Sequence, residues 1–354
     1  MASPGVEIDG LLPDAPIAIT DRVLVTGGPP MRRRYGTSLR RLANGDLLAC
    51  FHESAGPENQ NDGAAVIVRS RDGGRSWDHP ISIYAEPGWN CGPISGIKVL
   101  PDGTVLAVVG KLQRTLSAST TYGLEMSRTH TYITRSEDHG HSWGELESID
   151  GFWPFFTEMY GTSDPLVLGD GRLLFCIQGT REVNGHGWES AVTTSSDGGR
   201  TFTTPVIIAS SPTIDFNDAA LARLDDGRIL AMIRTEQPPY HAYQSYSADE
   251  GASWSEAKPA GFLGGTPCLY RLRNGALVCF YRDREPGRPG VSCTVTTDDG
   301  ATWRWIGQIY RSPDWFCGYP AVAQLSDDTF LCVYFTAIVD GNSEVQGVFL
   351  RDCS

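Results

Sequence analysis

Ser70-Arg71-Asp72-Gly73-Gly74-Arg75-Ser76-Trp77 is an octapeptide whose pattern, Ser/Thr-X-Asp-X-Gly-X-Ser/Thr-aromatic, returns along the chain. The later copies are Ser136–Trp143, Ser195–Phe202, Ser247–Trp254 and Thr296–Trp303. Asp at this offset folds back onto nearby backbone N–H groups, Gly supplies a positive φ, and the closing aromatic plugs the sheet below. Such a turn carries its own anchor. Its recurrence in order along one chain predicts a repeat architecture.

A second repeat runs out of phase with the first. Before each octapeptide stands an apolar–X–Asp/Asn–Gly–X–apolar segment, at Leu42–Leu48, Leu100–Leu106, Leu168–Leu174, Leu224–Leu230 and Leu272–Val278. A sixth copy, Leu325–Leu331, has Asp328 in place of Gly and no octapeptide after it. Asn/Asp-Gly between apolar runs is a strong hairpin signal. The runs that follow, such as Leu47–Phe51, Leu173–Ile177 and Ile229–Ile233, read as strands buried on both faces. Together the two repeats predict an all-β chain, a six-bladed β-propeller of four-stranded antiparallel blades. Too few residues follow Leu331 for a whole outer half-blade. The strand-like segment Ile17–Thr26 is therefore expected to close the last blade as its outermost strand; the alternative is a distorted last blade with an unpaired N-terminus.

No linker interrupts the repeats, so residues 1–354 read as a single domain despite a length that would suit two or three. The net charge of −13 argues against nucleic acid or an anionic membrane as partner. Cys50, Cys176, Cys279 and Cys332 lie inside apolar strands and read as small buried hydrophobes rather than a disulfide framework. No Cys-X-X-Cys and no His pair of metal spacing is present, so neither a catalytic metal nor another cofactor is expected. No signal peptide or membrane span is visible, which suits the cytoplasm or a secreted chain whose leader is absent from this sequence.

Chemistry is expected at the mouth of the ring, where loops join the strands. Counting back nine or ten residues from each hairpin turn gives one position per blade: Arg34-Tyr35, Cys91-Gly92-Pro93, Glu158-Met159-Tyr160, Asn217-Asp218, Gly265-Thr266 and Gly318-Tyr319. The ends of the next strands give His52-Glu53, Lys111, Gln178, Arg234-Thr235-Glu236 and Arg282-Asp283. Polar groups at the ends of buried strands are costly unless used or paired. Trp89, Trp153, Phe155 and Phe156 stand next to mouth positions, where they could stack on sugar rings or pack between blades.

The octapeptides resemble the Asp-box turns of the sialidase superfamily of β-propellers, and the resemblance covers nearly the whole chain. It implies a retaining exo-glycosidase with a Tyr nucleophile, a carboxylate that takes its proton, an acid/base Asp and three Arg that bind the substrate carboxylate. Gly318-Tyr319-Pro320 looks like the nucleophile strand. Asn217-Asp218, followed by Asp226-Gly227-Arg228 and Arg234, is similar to the family's Asn-Glu…Asp-Gly-Arg…Arg segment. Asp218 stands where Glu is usual, and the shorter arm leaves a bridging water or a different substrate as alternatives to direct contact with Tyr319. Arg34 and Arg234 fit two positions of the clamp, since a planar guanidinium matches a carboxylate. The third is Arg282 or Arg288. Phe335 replaces the Glu that usually braces the first Arg. Asp62 is the candidate acid/base, with His52 or Glu53 as alternatives.

Tyr319, Asp218, Asp62, Glu158 and His52 are thus the candidate catalytic residues. Arg34, Arg234, Arg282, Arg288, Glu53, Tyr160 and Trp89 are the candidates for binding substrate. The expected function is release of a terminal acidic, sialic-acid-like sugar from an oligosaccharide or glycoconjugate. One rival is an exo-glycosidase for a different sugar that uses Glu158 with Asp218 and resembles the exo-arabinanases. Others are a propeller polysaccharide lyase, with Tyr319 and His52 as base and acid, and a carbohydrate-binding propeller without catalysis. The discriminating feature is whether Tyr319 and a carboxylate converge within hydrogen-bond reach.

Overall fold

The computed structural model describes residues 10–28, 32–56, 61–92, 96–116, 124–154, 156–159, 164–181 and 187–354. The regular elements among them are all β-strands. The first, β1 (Ile17–Thr26), waits for its partner until the end of the chain. Next, β2 (Arg33–Arg41), β3 (Leu47–Ser54), β4 (Ala64–Ser70) and β5 (Ile81–Ala85) pair in chain order as one sheet. In the second sheet β6 (Asn90–Gly92) and β7 (Ile97–Val99) both pair with β8 (Val105–Leu116), which is followed by β9 (Leu124–Ser136) and β10 (Glu147–Ser148). The third repeats this plan. There β11 (Phe156–Glu158) and β12 (Leu166–Val167) lie on β13 (Leu173–Thr180), with β14 (Trp188–Ser195) and β15 (Val206–Ala209) outside them.

A seven-stranded sheet follows: β16 (Phe216–Arg223), β17 (Ile229–Thr235), β18 (His241–Ser247), β19 (Lys258–Arg271), β20 (Leu277–Asp283), β21 (Gly290–Thr296) and β22 (Arg304–Arg311). Its long strand β19 serves twice. Lys258 to Leu263 pair with β18, and Gly264 to Arg271 pair with β20. The sheet is therefore two antiparallel four-strand ladders sharing one strand. The last sheet is β23 (Gly318–Gln324), β24 (Thr329–Phe335), β25 (Val345–Asp352) and, outermost, β1, which runs antiparallel to β25 from Ile17↔Asp352 to Thr26↔Val345. The N-terminal strand thus completes the last sheet.

The octapeptides dock each sheet on the one before it. In the first, Asp72 Oδ1 accepts from the Ser76 N–H at 2.9 Å and from Ser70 Oγ at 2.8 Å, and Gly74 N donates to Ser70 Oγ at 2.8 Å. The same bonds recur around Asp138, Asp197, Asp249 and Asp298. Two successive residues take a positive φ. The first is Gly73, His139, Gly198, Glu250 or Asp299; the second is always Gly. Space explains the difference. A methyl group on Gly74 would lie 2.7 Å from Leu331 Cδ2, on Gly140 3.0 Å from Leu48 Cδ2, and on Gly251 3.1 Å from Leu174 Cδ1. Each of these leucines follows the hairpin turn of the preceding sheet. Because Gly74 of the first sheet sits on Leu331 of the last, those two sheets stand side by side.

The first strands of the sheets meet in the middle. Thr37 Oγ1 donates to the Tyr319 carbonyl, the Ile97 N–H donates to Ser38 Oγ at 3.2 Å, and the Val99 N–H donates to Asp164 Oδ1 at 2.7 Å. Between β19 and β23 the Tyr319 N–H donates to Thr266 Oγ1 at 3.3 Å. The apolar second strands are buried on both faces, with Leu47, Leu48, Cys50 and Phe51 wholly enclosed. Cys50, Cys176, Cys279 and Cys332 are buried free thiols, and burial pushes the Cys176 thiol up to about 12. No helix among the described residues is long and apolar enough to cross a membrane.

Candidate active site

Four inner strands slip register at the same place. Tyr35 faces His52 but Ser38 faces Cys50; Asn217 faces Arg234 but Ala220 faces Met232. Likewise Gly265 and Cys268 face Arg282 and Phe280, and Gly318 and Ala321 face Phe335 and Val333. Each inner strand therefore carries one extra residue, a bulge, which re-aims the side chain at its start. That starting residue is left-handed in all four: Gly36 at φ 67°, Asp218 at 47°, Thr266 at 52° and Tyr319 at 48°. Outside glycine this conformation is uncommon and strained, the more so for a β-branched or bulky side chain, and such strain gathers at functional sites.

The bulges bring Tyr319 and Asp218 together across 101 residues of chain, with the phenol O–H donating to Asp218 Oδ2 at 3.1 Å. Arg234 Nη1 donates to the same carboxylate oxygen at 2.6 Å and lies 3.4 Å from the phenol oxygen. Its Nη2 pairs with Glu236, whose Oε1 also accepts from Asn217 Nδ2 at 2.8 Å. Gln178 ties in Glu158. Its Nε2 donates to Glu158 Oε2 at 2.6 Å and to Asp218 Oδ1 at 3.4 Å, while its Oε1 accepts the Asp218 N–H at 2.5 Å. Arg282 donates through Nε to the Cys317 carbonyl, and its guanidinium carbon lies 5.5 Å from the Tyr319 ring centre and 5.8 Å from that of Phe335. Gly265 and Gly318 leave room for the two arginines. A methyl group on either would come within 3.0 Å of Arg234 or Arg282.

Burial, then the charge of Asp218, push the Tyr319 phenol well above its ordinary value; Arg234 and Arg282 oppose this, and Glu158 adds to it. The phenol is therefore protonated at neutral pH. A phenol turns nucleophilic only as a base takes its proton, and the carboxylate within hydrogen-bond reach of this one is Asp218. Asp218 and Glu158 share one amide nitrogen, so their nearest oxygens are closer than the ~6.5 Å at which the carboxyl pairs of inverting glycosidases begin.

Other expected residues stand apart from this group. Arg34 is buried, with Nε on Glu53 Oε2 at 2.9 Å and Nη1 on the Ser343 carbonyl at 3.1 Å. Glu53, opposite Arg34 on β3, thus braces it where the family pattern had left only Phe335. The His52 ring is buried, stacks on Tyr35 at 4.1 Å and meets Asn90 Oδ1 through Nε2 at 2.6 Å. Asp62 is exposed, one residue from Gly63, whose backbone packs on His52 and Asn90. Trp89 lies under the Lys111 ammonium at 4.5 Å, and Lys111 pairs with Glu86 at 2.7 Å. Arg288 is drawn elsewhere: Nε pairs with buried Asp283 at 3.2 Å, and the guanidinium covers Trp305. Arg282, not Arg288, reaches the Tyr319 ring. Trp153 is core, its Nε1 donating to Glu189 Oε2 at 2.8 Å. Tyr160 and Phe155 lie outside the described residues. Gln178 and Glu236 were visible as strand ends, but the role of Gln178 as a bridge follows only from the pairing of β13 with β11. Among the described residues no group of His, Cys, Asp and Glu could hold a metal ion.

A family model described as "BNR repeat-like domain" matches residues 114–333. A search of curated proteins gives no match. Among solved structures, a protein of unknown function from Dyadobacter fermentans is 19% identical at TM-score 0.81, covering 96% of this chain and 100% of its own. Trypanosoma rangeli sialidase in complex with the inhibitor DANA is 15% identical at TM-score 0.67; the match covers 91% of this chain but 55% of that one. Penicillium chrysogenum α-L-arabinanase complexed with arabinobiose is 17% identical at TM-score 0.65, covering 94% and 98%. At these identities the likeness is one of fold.

Proposed function

The chain belongs to the BNR repeat-like domain family of the sialidase superfamily, and from that premise we propose that it is a six-bladed propeller acting as a retaining exo-glycosidase. The observation that carries this reading is the 3.1 Å hydrogen bond from the Tyr319 phenol to Asp218. Tyr319 Oη attacks the anomeric carbon while its proton passes to Asp218. The glycosidic bond breaks as Asp62 protonates the departing oxygen. Water then attacks the anomeric carbon from the face that the leaving group vacated, giving its proton to Asp62; the bond to Tyr319 Oη breaks, and the phenolate recovers its proton from Asp218. A carboxyl on the exposed Asp62 loop serves as acid once bound substrate desolvates it.

The substrate is a terminal acidic sugar of the sialic-acid kind. Arg34 and Arg234 are already paired with carboxylates, whereas Arg282 has no carboxylate partner among the described residues. Arg282 therefore receives the substrate's acid group, with Arg234 held rigidly at the same phenol by its own carboxylate partners. A second reading, a neutral exo-glycosidase using Glu158 and Asp218, is favoured by the Gln178 bridge that holds those carboxylates close. Turnover of a panel of fluorogenic aryl glycosides separates the two: sialic acid and its deaminated analogue, arabinose, rhamnose and glucuronic acid. Release of an acidic nonulose that collapses in Tyr319→Phe but persists in Glu158→Gln supports the tyrosine mechanism. Release of a neutral sugar that persists in Tyr319→Phe supports the carboxylate pair.

A further inference from the structure

Trp315 and Phe316 are, among the described residues, the Phe, Trp and Tyr side chains most open to water, at 37% and 36%. Neither has a part in the reaction above. Both stand on the turn between β22 and β23, just before Tyr319. That turn is braced from within. The Ser312 N–H donates to the Pro289 carbonyl at 2.9 Å, the Asp314 N–H to Ser312 Oγ at 3.4 Å and the Phe316 N–H to Asp314 Oδ1 at 2.7 Å. Short polar side chains that bond their own backbone stiffen a turn, so the two rings are held outward.

The rings are part of a longer rim. The guanidinium carbon of Arg284, two residues beyond Arg282, lies 5.9 Å from the Trp315 ring centre and 5.1 Å from that of Tyr240. A guanidinium against aromatic faces orients both partners. Tyr240 has φ at 67°, a strained angle for so bulky a side chain, and its carbonyl accepts the Gly264 N–H at 2.9 Å. Loops after β17, β20 and β22 thus each supply one member. Phe316 carries the rim inward. It lies edge-on to Phe335 at 5.4 Å, and the Phe335 ring is 6.1 Å from that of Tyr319. Phe316 also meets Tyr35 at 6.4 Å, and Tyr35 stacks on His52, against which the backbone of Gly63 packs. Gly63 is the neighbour of Asp62. The aromatic rim therefore adjoins both the nucleophile and the acid of the proposed reaction.

With the terminal sugar over the Tyr319 phenol, the rest of the substrate has to leave across the rim. We propose that Trp315, backed by Arg284 and flanked by Phe316, is the subsite for the leaving group. Its occupant is the ring on the far side of the scissile oxygen, sugar or aryl, with an apolar face laid on the indole. This assignment rests on the exo-glycosidase reading.

The sugar that the wild type releases is offered in two forms: its 4-nitrophenyl glycoside, whose ring can stack, and its glycosyl fluoride, which has no ring to place. Trp315→Ala is expected to lower kcat/KM for the aryl glycoside roughly 10-fold, at the upper end of what an aromatic pair contributes, and to leave that for the fluoride unchanged. Trp315→Tyr, which keeps an aromatic face, is expected to recover most of the loss. Equal falls for the two substrates, or no fall for the aryl glycoside, overturn the proposal. If the wild type turns over no glycoside at all, the glycosidase reading fails by itself, and the rim is read by saturation-transfer NMR with lactose. Transfer that is lost in Trp315→Ala supports a sugar platform at Trp315; no transfer from the wild type, or equal transfer from both proteins, overturns it.

Discussion

Asp218 and Tyr319 are each held at a backbone angle that L-residues seldom adopt, and each spends that strain on reaching the other. The shorter arm of Asp had left a bridging water open from the sequence alone. The left-handed bulge brings the carboxylate to the phenol directly, and bulges of this kind cannot be seen without knowing which residues pair across strands. The same limit hid Glu53 as the brace of Arg34, since the two meet only through the pairing of β2 with β3. Counting from the hairpin turns did find Tyr319, Asp218, Glu158, Arg234 and Arg282 as one set, because the turns mark register. Asp218→Asn is expected to lower kcat by ~10²–10⁴-fold. Its Tm should fall only in part, because Asn also tolerates the left-handed region and Arg234, which loses a buried ion pair, keeps Glu236 as partner; activity that falls only as far as the folded fraction does would mean a structural role. Arg282→Met is expected to raise KM for an acidic glycoside at least ~10-fold, as loss of a charged hydrogen bond would. KM for a neutral glycoside should be unchanged; an equal rise for both would remove Arg282 from acid recognition.

The octapeptide turns were legible in full because their logic is local. Asp, Ser/Thr and Gly satisfy one another within eight residues, so no long-range pairing is needed to read them. The pattern showed which position is always Gly but not that the neighbouring sheet makes the demand. Gly74→Ala is expected to destabilise by about 1–3 kcal/mol through the clash with Leu331. Gly73→Asn is expected to be nearly neutral, since nothing lies near it and His139, Glu250 and Asp299 occupy the matching sites. Urea midpoints of the two variants check this contrast. The turns also set an acid limit. Hydrogen bonds from Ser76 and its backbone N–H, then Ser70, hold the Asp72 carboxyl down at about 2, and the other four turn carboxyls are lowered for the same cause. A carboxyl depressed on folding stabilises above its unfolded value of about 3.9 and loses that contribution as the pH falls through its folded value. The urea midpoint is therefore expected to fall between about pH 4 and pH 2, and less steeply in Asp72→Asn. Equal slopes would place the acid sensitivity elsewhere.

Across the whole molecule, the pairing of β1 with β25 puts the first and last strands in one sheet, and the seat of Gly74 on Leu331 sets that sheet beside the one built from β2 to β5. The first of these was legible, since the last repeat lacked residues to finish itself. The double use of β19 was not, because Gly261, Gly264-Gly265 and Pro267, residues that ordinarily interrupt a strand, lie inside one continuous strand here. Removing residues through Thr26 would uncover the β25 edge and the apolar neighbours of Ile17 and Val25. The shortened chain is expected to melt at lower temperature and to self-associate, by calorimetry and light scattering; a monomer with the wild-type Tm would mean that β1 is dispensable. All these scales converge on the inner strands, where the repeat delivers one bulge after another to a common centre. The group expected to bond to sugar is Tyr319, activated by Asp218. The most direct test is incubation with a panel of activated fluorosugars that form slowly hydrolysed glycosyl-enzymes, followed by peptide mass mapping. The label is expected on Tyr319; a label on Glu158 or Asp218 instead would rule out the tyrosine mechanism.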